Sequence, residues 1–415
     1  MDSSLSVGAG VHTLDFPPEY FPSDGYADLH DPLHAKVLLF RQEKVSGAIA
    51  TLELPSVRPW ELTDELRGFC AQLLSVPYDH LWLVMTHNLS APHVPTDSNK
   101  RVLHMTVLRR ALGLACAQAL ECLQPVSVAL HQGQCRINVN RNVESVDGWW
   151  VGINPRRDSD PTLTALVFSK RDGSPAAVLY SYAIKSSVLE NVTMSNGEHY
   201  ASADVTGAAG VKAEARLGCP VLFLMSAAGD QVPCKKGNYL ELDSRGHFQA
   251  INLAEQSWQI LDFLSNILCD SLCQTVNCSS ARPLNGKLRF AQVTFPCPGQ
   301  VSYPKNLPEP PVQHYHYLKS ADELLTLWGI CVGECALLGV KSEVTTPTFR
   351  ALQSESPFPE TLLATLVNGG QGYIATDFDY DNFTYPGLKS PFYRGTDRIF
   401  LEKSKSFLRA LHPED

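Results

Sequence analysis

VLFLMSAAGDQVP, running from Val221 to Pro233, is the stretch on which the reading of this chain turns. Val221 to Met225 is a short apolar run that reads as a core strand, and it leads straight into the turn Gly229-Asp230. Loops at the ends of strands are where α/β proteins place their chemistry. At Asp230 the side chain can close an Asx turn or serve a site. At Val232 the chemistry is restricted: a valine has no lone pair and cannot attack a carbonyl.

Outward from this stretch, strand-like runs alternate with helical patterns. VLLF from Val37, AIATLEL from Ala48, LWLVM from Leu81, Val126–Leu130, Leu163–Phe168 and Val178–Ile184 read as strands. A 3.6-residue period predicts helices over Trp60–Leu74, Lys100–Leu123 and Ala254–Cys273, with another starting near Gly207. Further on come a strand Lys287–Thr294, a Pro-rich linker or surface crossing Pro296–Val312, and a helix Ser320–Ala336. A strand pair around Glu343, a strand Leu362–Val367 and a helix Asp397–Leu411 complete the pattern. No internal repeat is visible. This alternation implies an α/β protein with a mixed β-sheet and helices packed on it, as one region over residues 1–415.

Composition narrows the function. With 44% hydrophobic and 19% charged residues, the chain can bury a large core. A net charge of −9 without basic runs argues against nucleic acid or an anionic membrane as partner. The twelve cysteines include CxxxC and CxxxxC spacings but no CxxC pair, so they read as free thiols of a reducing compartment. No signal peptide and no apolar run of membrane-spanning length is seen, which makes a cytoplasmic location the expectation.

Other strand ends carry residues able to do chemistry. His87 follows LWLVM, and His93 lies six residues on, where it can fold back to the same point. Lys185 ends the strand that leads to Ile184; it is either solvated or a cation over a site anion. Asp204 can cap a helix, accept from a ligand or orient a histidine. Glu343 and Tyr373 stand at later strand ends and can complete a mixed N/O metal shell.

Taken in order, these segments resemble the neutral, non-lysosomal ceramidases over residues 5 to 411. GDQVP resembles G-D-x-S-P, with Val232 where that family carries its serine. THNLSAP resembles T-H-T-H-S-G-P, which implies a zinc ligand at His87 and puts Leu89 in place of a substrate-side histidine. NVNRN resembles the family's N-R segment, which implies a substrate-contacting arginine at Arg141. YAIKSSVL resembles Y-A-x-H-x-T-x-L, with Lys185 at the position of a zinc histidine. SADVTG resembles S-x-D-x-x-G, while KSEVTT resembles P-G-E-x-T-T and GYIAT resembles Y-I-T-T, which implies the remaining zinc ligands at Glu343 and Tyr373. The resemblance does not extend to that family's C-terminal immunoglobulin-like domain.

The expectation is a ceramidase-like hydrolase that cleaves an amide bond of a small acylated substrate. Zinc or another divalent metal, held by His87, Glu343, Tyr373 and His93, would activate water in place of the serine. Asp230, Lys185 and Arg141 would act in catalysis, and Arg141, Leu89 and Val232 would contact substrate. Two other readings stay open. One is an inactive ligand-binding or regulatory protein that retains the fold. The other is an enzyme based on a lysine, with Lys185 depressed in pKa by burial.

Overall fold

The computed structural model describes residues 4–278, 280–307 and 310–412. Three mixed sheets form the frame. The first has the order Leu81–Met85, Val45–Leu52, His34–Gln42, Ser6–Thr13 and Gln124–Pro125. The second runs Val221–Met225, Pro175–Tyr182, Thr162–Ser169, Ser127–Gln134 and Arg282–Pro283. The third runs Leu288–Gln300, Lys319–Val332, Cys335–Val340 and Glu360–Ala364.

Each sheet contains the same unit, although the sequence shows no repeat. An antiparallel pair is followed by a helix, and the chain returns as a strand parallel to the second of the pair. The returning helices are Trp60–Leu74, Asp204–Leu217 and Thr346–Glu355. A parallel return needs a crossover, and a helix supplies it while covering the sheet. The C-terminal ends of these strands open into the loops that carry the candidate residues.

The core has three parts. Helices Trp60–Leu74, Ser98–Glu121, Asp204–Leu217 and Gln256–Val276 cover one side of the first two sheets, with Val37, Leu39, Tyr180 and Phe223 pointing to them. Alternate strand residues, such as Leu38, Phe40 and Leu179, point the other way and meet the third sheet through Trp328, Ile330 and Leu337. The far side of that sheet packs on helices Thr346–Glu355 and Thr396–Leu411 through Leu327, Leu338, Phe349 and Phe400. The layers are therefore helix, sheet, sheet, helix.

Two sequence expectations fail here for a physical reason. Ser320–Ala336 is not a helix; Lys319–Val332 is a strand. Both its faces are buried at its inner end, Trp328 and Ile330 on one side and Leu327 and Cys331 on the other. Such a strand loses the polar–apolar alternation, and its apolar spacing imitates a helix. Pro296–Gln300 continues the strand Leu288–Gln300 instead of starting a linker. That strand lies at the edge of its sheet, where proline is tolerated. Among the described residues no helix is long and apolar enough to cross a membrane.

Candidate functional site

Backbone contacts between loops assemble the site. Asn88 forms a parallel bridge with Ser186, and Leu89 N donates to Ser186 O at 2.8 Å, which sets His87 beside Lys185. Glu343 pairs in parallel register with Tyr373. Gly229 N donates to Val344 O at 2.9 Å, and a Cβ at residue 229 would stand 2.8 Å from that oxygen. Only glycine allows this approach. Arg141 N donates to Asp230 O at 2.9 Å, and Val232 pairs with Val139.

The side chains meet around one carboxylate. Lys185 Nζ lies 2.6 Å from Glu343 Oε2 and donates to Tyr373 Oη at 3.0 Å. The Lys185–Glu343 contact is a buried ion pair. His87 Nε2 lies 3.1 Å from Glu343 Oε1, and because a carboxylate only accepts, Nε2 carries the proton. His87 Nδ1 is buried without a partner. The His87 backbone has φ 54°, a left-handed conformation that is uncommon for a residue with a side chain. Arg141 lies over the rings of Tyr373 and Tyr385, at 5.2 and 4.9 Å from their centres.

Electrostatics follow from burial and neighbours. Burial, reinforced by the Arg141 charge, brings the Lys185 ammonium down to about 8 against the pull of Glu343. Burial alone would raise Glu343, but Lys185, His87 and Arg141 outweigh it and hold its carboxyl well below the usual range. Burial pushes the Tyr373 phenol up, so it stays protonated.

A cavity of about 310 Å³ opens onto this cluster. His87, Arg141, Lys185 and Tyr373 form its polar end, and Leu89, Trp150, Val232 and Leu240 form apolar wall. Glu190 and Lys236 also face it and are paired at 2.7 Å. A second cavity of about 580 Å³ shares Lys236, Tyr239 and Leu240 with the first and continues along Val143, Ile153, Leu242 and Ile260.

Of the residues singled out from sequence, His87, Leu89, Arg141, Lys185, Val232 and Tyr373 line one cavity, with Glu343 joined to them. His93 does not join them. Its Nδ1 lies 3.0 Å from Asp24 Oδ2, and it lines a neighbouring cavity with His199. The chain leaves His87 for the Ser186 bridge and does not fold back. Asp230 lies behind the wall, not in it: Oδ1 accepts from Thr346 N and Oγ1, and Oδ2 accepts from Asn140 Nδ2. Its carboxylate ties the Arg141 strand to the loop after Glu343, and it lines a different cavity, with Asn140 and Asp379.

Asp204 has a similar role that sequence left open. Its carboxylate accepts from Val188 N, Leu189 N and Ser90 Oγ, so it joins the Lys185 loop to the His87 loop. Glu190, Lys236, Trp150 and Tyr385 were missed, since a lone charged or aromatic loop residue carries no signal of its own.

His87, Glu343 and Tyr373 converge, but the Lys185 ammonium sits against the carboxylate and phenol oxygens that a cation would bridge. A divalent ion there would meet a like charge at contact distance. Among the described residues no group of three His, Cys, Asp or Glu side chains is placed to hold a metal ion. As arranged, the residues do not fit one.

No protein-family model matches the chain, and no curated protein matches it. Solved structures do. The neutral ceramidase from Pseudomonas aeruginosa aligns with a TM-score of 0.73 at 16% identity, over 99% of this chain and 76% of that one. A ceramidase complexed with C2 aligns with a TM-score of 0.72 at 14% identity, over 100% and 76%. The chain therefore has a neutral-ceramidase-like α/β fold.

Proposed function

We propose that this protein binds a small acylated molecule in the cavity and does not hydrolyse it. The observation that carries the reading is the Lys185–Glu343 ion pair of 2.6 Å, a built-in cation at the centre of the polar cluster. Amide hydrolysis needs a nucleophile, a group to accept its proton and a stabiliser for the developing oxyanion. Val232 offers no nucleophile, His87 Nε2 is engaged by Glu343, and His87 Nδ1 is shielded. Only the third requirement is met, by Arg141 and Lys185. The adjoining apolar cavity suits an acyl chain, and the solved structures it resembles are ceramidases. A cytoplasmic setting is proposed with this, since all twelve cysteines are free.

The test pairs binding with turnover on a panel of N-acyl amines, with and without added zinc. Quenching of tryptophan fluorescence that depends on Trp150, with no amine released, supports the reading. Turnover lost in both His87→Ala and Glu343→Gln would replace it with the metal-assisted hydrolase. A second reading has one observation in its favour, the Lys185 amine brought to about 8 in a cavity wall. It requires metal-independent turnover that rises with pH through that value and disappears in Lys185→Met.

A further inference from the structure

We infer a second binding site, for a small phosphate monoester, in a cavity of about 320 Å³ that shares no lining residue with the two cavities described above. Separate stretches of chain build it: Arg58 and Trp60 at the start of the helix Trp60–Leu74, Ser302 and Tyr303, the turn 370–372 and the segment 388–391. Contacts fix them to one another. Arg58 Nη2 donates to Gly370 O at 3.4 Å, and the guanidinium lies over the Trp60 ring at 4.3 Å from its centre. A Cβ at Gly370 would stand 3.3 Å from that ring, and one at Gly372, where φ is 69°, would stand 2.8 Å from Lys389 O. The turn is therefore wedged between Trp60 and the Lys389 backbone, an approach that needs glycine.

The cavity is cationic without compensation. Arg58 and Lys389 both face it, both are exposed enough to be reached from it, and no carboxylate lines it. Neither cation forms an ion pair among the described residues; Lys389 Nζ has the Tyr385 ring at 5.9 Å from its centre. Partial burial lowers the Arg58 pKa from its ordinary value, and no carboxylate opposes that shift. Lys185 and Lys236 in the first cavity differ in this respect, since each has its own carboxylate. In a chain of net charge −9, two unpaired cations that share one acid-free cavity mark a place for an anion.

Charge and walls define that anion. Two cations balance a dianion, and a phosphate monoester near neutral pH carries between one and a half and two negative charges. The arginine fork matches two of its oxygens, and the lysine serves as a point charge. A carboxylate supplies one charge and leaves one cation unmatched. Trp60, Tyr303, Leu388 and Pro391 line the remainder, so the organic part of the ligand is small and partly apolar. A lipid headgroup offers the same phosphate, but the net negative charge of the chain opposes approach to an anionic bilayer, which favours a soluble ester.

The experiment is calorimetric titration of the full chain at neutral pH with phenyl phosphate, inorganic phosphate and benzoate. Flotation with phosphatidylcholine vesicles containing phosphatidic acid runs beside it. Wild type should bind phenyl phosphate about tenfold to a hundredfold more tightly than benzoate, the range expected for hydrogen bonds to a charged group, and more tightly than inorganic phosphate. Arg58→Met and Lys389→Met should each weaken phenyl phosphate about tenfold or more. Arg110→Met removes the same charge from an exposed position on the helix Ser98–Glu121 and should leave the affinity unchanged. Thermal melts establish that the variants are folded, and if one is not, the other decides. Fluorescence quenching by N-acyl amines should be unaltered in both cavity variants, so this inference and the acyl-binding reading stand or fall separately. Absence of phenyl phosphate binding, benzoate or inorganic phosphate binding as tightly, or affinity retained in both Arg58→Met and Lys389→Met overturns the inference. So does an equal loss in Arg110→Met, or binding to the vesicles without binding to the soluble ester.

Discussion

Lys185 Nζ and Glu343 Oε2, 2.6 Å apart, join strand ends from two different sheets. Lys185 follows Pro175–Tyr182 and Glu343 follows Cys335–Val340, so this one contact fastens the second sheet to the third at the mouth of the cavity. A buried pair of this kind adds little compared with an apolar pair, but losing one member strands the other.

Lys185→Met should therefore destabilise the protein by about 3–5 kcal/mol, and adding Glu343→Gln to it should recover much of that loss. Urea unfolding of the two single variants and the double variant measures both quantities. A loss below about 1 kcal/mol in Lys185→Met, the range of surface pairs, would mean that the lysine is solvated.

Val232→Ser should not create amide hydrolysis. The hydroxyl would enter the wall, but His87 Nε2 remains engaged by Glu343 and Leu89 stands where the resemblance expects a histidine. An end-point assay with a short-chain ceramide reads this directly. Robust product from that single variant would show that the remaining machinery is intact.

Asp230→Asn should lower stability by about 1–3 kcal/mol, because an amide group would oppose one of the donors that now bond to the carboxylate. Ligand affinity should fall less than it does in Arg141→Met. A larger effect on ligand than on folding would return Asp230 to the cavity.

His104 gives a pH dependence with a definite sign. Burial brings its imidazole down to about 4 from the ordinary 6.5, and Tyr20 Oη lies 2.7 Å from Nδ1. Between those values the unfolded chain binds the proton and the folded chain does not, so stability falls as pH drops from 6.5 towards 4 and is complete above 6.5. The full effect is roughly 3 kcal/mol, and His104→Gln should remove it. Melting temperatures of both proteins between pH 7 and 5 test this, and parallel slopes would count against it.

Much of the fold was legible in sequence because its elements are periodic or short and apolar. Trp60–Leu74 and Leu81–Met85 lie where the pattern puts them. The third sheet was legible only in part: Lys287–Thr294 and Leu362–Val367 read as strands, but Lys319–Val332 is buried on both faces and imitates a helix, and Leu288–Gln300 runs on through prolines that only an edge position permits. At the site, His87, Lys185 and Tyr373 were readable as strand-end residues with the right chemistry. The roles of Asp230 and Asp204 were not, because a carboxylate that accepts only from neighbouring loops looks the same in sequence as one that faces a ligand.

The most direct test of the central claim, that Lys185 is the cation of this site, is metal content. Protein purified without chelator should contain no stoichiometric zinc and should not take it up on titration, whereas Lys185→His should gain zinc affinity markedly by removing a charge and supplying an imidazole. One equivalent of zinc in the wild type that disappears in His87→Ala would contradict the account.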